Sequence, residues 1–464
     1  MSPVPELGAA TVPMIVGGDD TPTAWRFVAA VALGGPLVVG FGAASGSGVR
    51  WFVVVSVLVA VAFVVPLVRA SRRPPVPTGP LPLDPAGPPP SITVLVAGRD
   101  EAVVLPQLVA DVAAQDHRDP DGKPRFDLVI IDDRSIDGTT EAVHAAALTH
   151  GLTDVTMVIR REGVDLADGK GAALTVAQPD HLAGEMVVVL DADARIGPEF
   201  LRRLAAYAAA GVDAVTARRR ILHADSSWLA GAQADEQNQD GELQRGRWAS
   251  GGCSEFRGNG LAIRRSLLAA VGGWRPALTE DVDLSSRIAA ERGITVAWAL
   301  DVEVWEEPVH TWTALLRQRL RWSEGAIRRF LLHGRAVMTS RRLSRRARFD
   351  FAAYGAQLLA PPLIIGATLG ALATGRFGVA VALLATYLGV GGLLAFDALR
   401  WETGPDNGPL AGRERAGRAV RAAAFSVFWL AAIPGALARL ALRRGDVRYD
   451  KMPHAGSAVP RGRP

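Results

Sequence analysis

Cysteine is almost missing from this chain. The single thiol, Cys253, excludes an internal disulfide and any zinc site built on clustered cysteines, and a lone cysteine is more often a small buried apolar residue than a nucleophile. The common nucleotide-binding loops are missing too. A P-loop needs four residues between its first glycine and Gly-Lys-Ser/Thr, whereas five separate Gly163 from Gly169-Lys170, and Gly171 stands where the hydroxyl belongs. No Gly-x-Gly-x-x-Gly follows the first β-like run, so ATPase and dinucleotide chemistry both lose support. With neither zinc-finger spacing nor an aromatic RNA-binding signature, no nucleic-acid partner is expected. The first residues lack the positive n-region of a secretory signal, so the apolar segments after them are expected to be retained.

What the chain has in excess is apolar sequence: 49% of its 464 residues are hydrophobic, high for a purely soluble enzyme, which places part of it in a bilayer. Trp25 to Ala44 and Trp51 to Val68 each approach the roughly 20 residues that cross a hydrocarbon core, and a Gly/Ser turn ending in Arg50 separates them. Residues 1–73 thus read as a tail and membrane hairpin. Arg69, Arg72 and Arg73 follow the second run, which by the positive-inside tendency places what comes next in the cytoplasm. The net charge of +4 is modest, but these arginines and Arg341, Arg342, Arg345, Arg346 and Arg348 lie beside apolar stretches, where anionic lipid is the natural partner.

Residues 74–90 are proline-rich and read as a semi-rigid spacer. From Ser91 to 310 short β-branched runs (ITVLVA from Ile92, DLVII from Asp127, VTMVI from Val155, MVVVL from Met186, DAVTA from Asp213) alternate with helical stretches, as in a mostly parallel α/β sheet. Residues 311–350 follow. There Trp312, Leu315, Leu316, Leu320, Ile327, Phe330 and Leu331 recur at helical spacing among arginines, which predicts an amphipathic helix on the membrane surface. Within 351–445 three more apolar stretches, Gly355 to Thr374, Phe377 to Phe396 and Ala422 to Leu440, read as spans before a basic tail, 446–464. Three crossings after a cytoplasmic domain would leave Arg443, Arg444, Arg448 and Lys451 outside. One segment is therefore expected to be interfacial or re-entrant, marked by Pro361-Pro362 or Pro434-Gly435.

Parallel sheets gather ligands at the carboxyl ends of their strands, and acidic residues occur there. Asp132 and Asp133 follow one run; Asp191 and Asp193 follow another. An Asp-x-Asp at a strand end supplies two hard oxygen ligands for Mg²⁺ or Mn²⁺ gripping a diphosphate, though the same pattern also makes ordinary turns and caps. Thr279-Glu280-Asp281 opens a later helix, with Thr279 a candidate cap and Asp281 a candidate general base; carboxylates in a first turn are also simply favoured by the dipole. Lys170 could touch a phosphate. Gln318, Arg321 and Trp322 on the amphipathic helix combine an amide, a phosphate-binding cation and a ring for sugar stacking, or else anchor the helix in lipid.

Arg99-Asp100-Glu101, Asp132-Asp133, Gly169-Lys170-Gly171, Asp191-x-Asp193, Thr279-Glu280-Asp281 and Gln318-x-x-Arg321-Trp322, in this order, resemble the membrane branch of the family 2 glycosyltransferases. The resemblance implies a GT-A fold with a Rossmann-like, mostly parallel sheet between N- and C-terminal transmembrane helices. It implies that Glu101 and Asp133 hold the nucleoside, Asp191 and Asp193 engage nucleotide and metal, and Asp281 beside Glu280 accepts the acceptor's proton. Gln318, Arg321 and Trp322 would line the diphosphate and acceptor site. Ala97, Asp100 and Arg134 depart from the proline, asparagine and glycine frequent in that family. The expected activity is inverting transfer of a sugar from a nucleotide diphosphate to a lipid or lipid-linked acceptor by a multi-pass cell-membrane protein. A processive polysaccharide synthase would need more spans than these, and a scaffold binding sugar nucleotides without turnover would have no use for the full set of carboxylates.

Overall fold

The computed structural model describes residues 22–71, 89–163, 167–177, 181–404 and 408–442; most of the proline-rich spacer, Arg72, Arg73 and the basic tail lie outside them. Two apolar helices, α1 (Thr23–Ser45) and α2 (Val49–Ser71), come first. The α/β portion follows as β1 (Ile92–Gly98), α3 (Leu105–Ala113), β2 (Phe126–Asp133), α4 (Thr139–Thr149), β3 (Thr156–Arg161), α5 (Lys170–Leu174), β4 (Met186–Leu190), β5 (Arg195–Ile196) and α6 (Phe200–Ala209). It continues with β6 (Ala214–Ile221), α7 (Trp228–Ala249), β7 (Leu261–Arg264), α8 (Arg265–Ala270), α9 (Glu280–Arg292) and β8 (Ala297–Glu306). Then come α10 (Trp312–Thr339), α11 (Arg345–Ala356), α12 (Ala360–Ala373), α13 (Phe377–Ala398) and α14 (Gly412–Leu442).

The strands form one sheet in the order β3-β2-β1-β4-β7-β6-β8-β5. β3, β2, β1 and β4 are mutually parallel, as are β6 and β8, while β7 and β5 run antiparallel to their neighbours. Strands covered on both faces have to be apolar throughout, which is why the runs ITVLVA and MVVVL show no polar alternation. Val94, Ile130 and Val188 point into one core with Leu105, Leu108 and Leu204; Leu95, Val129 and Val189 point into the other with Phe256, Leu284 and Ile288. Each such side chain contributes about 1.5–3 kcal/mol by leaving water.

Among the described residues four helical segments, Thr23–Ser45, Arg345–Ala373, Phe377–Trp401 and Gly412–Leu442, are long and apolar enough to cross a membrane, and α2 is apolar over Val49–Val59. α1 and α12 pack at backbone contact. A Cβ on Gly366 would sit on the Leu37 carbonyl oxygen, one on Gly370 on that of Phe41, and one on Gly40 on that of Leu363. Small residues at such spacing let helices associate without a hydrophobic driving force. The apolar stripe expected on α10 exists, but protein covers much of it: Leu320, Ile327 and Leu331 pack on Ala436, Leu437 and Leu440 of α14, and Phe330 packs on Phe351. The reason is that α14 brings its own apolar face to the same surface.

Candidate active site

β1 and β4 are neighbours whose connections leave toward opposite sides of the sheet, so a crevice opens past their carboxyl ends. Gly98, Arg99, Asp100 and Glu101 leave β1 into it, and Asp191, Ala192 and Asp193 leave β4. Glu280 and Asp281 enter from the first turn of α9, and Gln318, Arg321 and Trp322 from α10. All of them, with Asp133 and Lys170, line one cavity of about 1560 Å³. Asp132 does not join them. It is fully buried beneath the crevice, accepting from the Ser135 N–H at 2.9 Å, the Thr140 hydroxyl at 2.5 Å and Arg160 at 3.1 Å. Those bonds fix the turn after β2, leaving Asp133 as the member of the pair that reaches the cavity.

Lys170 links two of the carboxylate sites. Its ammonium donates to Asp191 and lies 3.9 Å from Glu280. Burial opposes the charge on Lys170, but Asp191 and Glu280 outweigh it and raise its pKa. Burial likewise opposes ionisation of Asp191, and Lys170 reverses that, holding the carboxyl below its usual value. The α9 carboxyls behave differently. Burial pushes Glu280 up to about 7, with Lys170 pulling it down and Asp281 pushing it further up. Asp281 is raised as well, by burial, against the hydrogen bond it accepts from the Val282 N–H. Two carboxyls raised toward neutrality in a cleft suit a proton acceptor.

At the edge nearest β2, Arg134 donates to Asp133 at 2.9 Å and to Asp168 at 2.6 Å, and Arg161 donates to Asp133 at 2.9 Å. Arg134 and Asp100 occupy the left-handed region, at φ 61° and 53°. Glycine, frequent at the first of these positions in the resembled family, tolerates that conformation best, and an arginine there gives up about 1–2 kcal/mol. The ion pairs of Arg134 offset this. Asp100, like the asparagine frequent at its position, adopts it with a local bond, accepting from the Ile136 N–H at 2.8 Å.

The α10 residues are held by partners on α7. Arg319, itself fully buried, pairs with Glu236 and lies over the Trp322 ring at 4.2 Å; Arg219 approaches the same ring at 5.3 Å and is clamped by Glu306 at 2.7 and 3.0 Å. Gln318 accepts from Arg319. Trp429 of α14 donates to Glu236 at 2.7 Å. Glu236 carried no signal in the sequence, because α7 reads as an exposed polar helix with no apolar stripe.

Thr279 stands at the N-cap of α9, but its side chain makes no cap hydrogen bond. It is pressed against Gly325 of α10, where an added Cβ would lie 2.3 Å from Thr279 Cγ2. Gly325→Ala is therefore expected to push α10 off α9, separating Arg321 and Trp322 from Asp281. Turnover should fall about 10²-fold, the scale of an ångström-level misplacement, and unchanged kcat would show the two helices to be independent.

Beneath Asp281 an ionic chain runs through the domain. Arg257 binds Asp240 at 2.6 and 3.0 Å, Glu255 at 2.8 Å and the Tyr354 hydroxyl at 2.8 Å, and Arg329 binds Glu255 at 2.5 Å. Burial opposes ionisation of Glu255, yet Arg329 and Arg257 bring it down to about 2. Beyond this polar floor the same cavity continues between apolar helices, lined by Val55 of α2, Ile364 of α12, Val390 and Leu394 of α13, and Ile433 of α14.

Among the described residues no three His, Cys, Asp or Glu side chains are grouped to hold a metal. Asp191 and Asp193 supply two carboxylates facing the cavity, the donor number with which Mg²⁺ is usually held when substrate phosphates and water complete its shell. The residues fit a substrate-bridged ion and do not fit an all-protein cage.

A family model described as "Glycosyltransferase like family 2" matches residues 88–325. The beta-monoglucosyldiacylglycerol synthase of Nostoc sp. is 31% identical over 258 residues, 54% of this chain, and the match spans about half, 52%, of that protein. The Synechocystis sp. protein of the same name is 28% identical over 375 residues, 79% of this chain and 76% of its own length. Among solved structures, the mannosyltransferase PcManGT from Pyrobaculum calidifontis, in complex with GDP-Man and Mn²⁺, superposes with a TM-score of 0.55 at 20% identity, covering 87% of this chain and 98% of that one.

Proposed function

Because the chain belongs to the family 2 glycosyltransferases and has their GT-A fold, we propose that it transfers a sugar from a nucleotide diphosphate to the hydroxyl of a neutral lipid such as a diacylglycerol, at the cytoplasmic face of the cell membrane. The observation that carries this reading is that one cavity is lined both by carboxylates and cations and by apolar residues of α2, α12, α13 and α14. A soluble acceptor has no use for the apolar end. The Nostoc and Synechocystis relatives named above make, by their names, a monoglucosyldiacylglycerol.

Glu101 and Asp133 hold the nucleoside, and Lys170 and Arg321 face the diphosphate. Asp191 and Asp193 would hold a divalent cation, whose contribution is to neutralise the leaving diphosphate. Asp281, seconded by Glu280, takes the proton of the acceptor hydroxyl as its oxygen bonds the anomeric carbon and the diphosphate leaves from the opposite face. That single displacement inverts the centre. Trp322, against which Arg219 and Arg319 pack, borders the sugar at the cavity wall. The acceptor end of the polar region carries Glu236, Gln237, Gln239 and Asp240, while Arg257 is bound by Asp240 and Glu255. That balance favours a hydroxyl over a phosphate-headed acceptor.

The test is transfer of radiolabelled glucose from its nucleotide diphosphate to diacylglycerol by purified protein in vesicles. We expect a single-sugar β-linked glycolipid, lost in EDTA and restored by Mn²⁺ or Mg²⁺. Long polymer, an α-linked product, or transfer unaffected by the chelator would each overturn the corresponding part of the reading.

A further inference from the structure

Helix α14 is long and apolar enough to cross a bilayer, yet besides packing on α13 and α1 it touches α7 and α10 over much of its length. Near its start, Arg418 and Arg421 each bind Asp235 of α7 at 2.7 Å. At its middle Phe425 and Phe428 stack on each other with centroids 5.8 Å apart and meet the Trp312 ring at 6.4 and 6.0 Å. Phe425 also meets Trp228 at 6.4 Å. Trp228 and Trp312 are the first residues of α7 and α10, and both are half-exposed. Further on, Gly435 lies against Leu320 of α10, and Leu437 and Leu440 pack with Ile327 of α10 and Ala29 near the start of α1. At its end the Ala441 carbonyl accepts from Arg26 at 3.3 Å.

The bundle has an opposite pole. Ala44 of α1, Val49 of α2, Ala371 of α12 and Ala380 of α13 gather there, and the cluster contains no residue of α14. A helix of 31 residues is about 46 Å long, enough to reach that pole if it stood upright. The midpoint of a spanning helix lies at the bilayer centre, whereas half-exposed tryptophans favour the headgroup level. The midpoint of α14 rests on two such tryptophans, one opening α7 and the other opening α10.

We propose that α14 lies at the membrane interface without crossing, its exposed Val420 and Val427 turned to lipid, and that α1, α2, α12 and α13 make the crossings. Four crossings are even in number, so the end of α14 returns to the side of the catalytic domain. The basic sequence after it, Arg443, Arg444, Arg448 and Lys451, then obeys the positive-inside tendency that a fifth crossing would violate.

The full-length chain carrying Cys253→Ala, whose native thiol is buried, would receive one new cysteine at a time: Ser47→Cys in the α1–α2 turn, Asp121→Cys on the catalytic surface, or a cysteine appended after Pro464. A membrane-impermeant maleimide is applied to spheroplasts and to inverted vesicles. We expect the appended thiol to react in the same preparation as Asp121→Cys and at least tenfold less in the other, where Ser47→Cys reacts. Labelling of the appended thiol together with Ser47→Cys, or equally from both sides, would overturn the proposal, as would Ser47→Cys and Asp121→Cys reacting on one side. Trypsin on the unsubstituted protein provides a second reading that needs no variant to fold. Cleavage after α14 is expected only in the preparation that also exposes the catalytic domain, and cleavage only in the other would refute the arrangement.

Discussion

Asp281→Asn is expected to lower the rate of transfer by about 10²- to 10⁴-fold, the usual worth of a positioned general base, while donor affinity stays within a few fold. The amide keeps the size of the carboxyl and the bond from the Val282 N–H but cannot take a proton. Because burial raises both α9 carboxyls, Glu280 to about 7, the native enzyme should also show an acid limb above the usual carboxylate range. Below it the carboxyls are protonated and the base is lost; above it they are ionised and the rate is full. Single-turnover kinetics from about pH 5 to 8 would show the limb, which Asp281→Asn should flatten. A variant with native turnover would remove Asp281 from the role, and a native limb in an otherwise slow variant would pass the titration to Glu280.

Arg319→Met is expected to cost about 3–5 kcal/mol of stability, as losing one partner of a buried ion pair does, because Glu236 is left charged beneath the cleft. Methionine fills the aliphatic part of the arginine's space, so the penalty is mainly electrostatic. Adding Glu236→Gln should recover most of it, since the amide can still accept from Trp429. Thermal unfolding of the two single variants and the double in nanodiscs would measure the coupling. If the double variant is as unstable as Arg319→Met alone, the contact of Arg319 with the Trp322 ring, rather than its pairing with Glu236, is what holds α10. Activity should not return with stability, because Trp322 then has only Arg219 beside it.

Five of the eight strands could be read directly from residue order. β1, β2 and β4 show as apolar runs because both of their faces are covered, and β3, half-exposed at the sheet edge, and the first half of β6 show by their β-branched residues. β7 has four residues, LAIR, too few to establish a period, and β8 interleaves Asp301, Glu303 and Glu306 with tryptophan and valine because its far end pairs with arginines of β6. β5, β7 and β8 therefore went unread. Among site residues, those at strand ends and in the first turn of α9 were legible from position alone. Asp132 and Asp133 could not be separated, since adjacent residues on a strand differ only in the face they present. The partners that hold the site, Glu236, Asp240, Glu255 and Arg257, were beyond reach for another reason. A buried helix lined with polar residues, each satisfied by another from a distant segment, has the same pattern in sequence as an exposed one.

The backbone-close pairing of α1 with α12 joins a helix that precedes the catalytic domain to one that follows it. Chain entering and chain leaving are thus pinned together within the bilayer, like both ends of a handle fixed to one plate. The height of the carboxylate floor above the lipid is thereby set by membrane helices rather than by the length of the proline-rich connection. A lipid acceptor of the kind proposed would accordingly present its hydroxyl at one depth. Its acyl tails, in the apolar end of the cavity, would be free to vary.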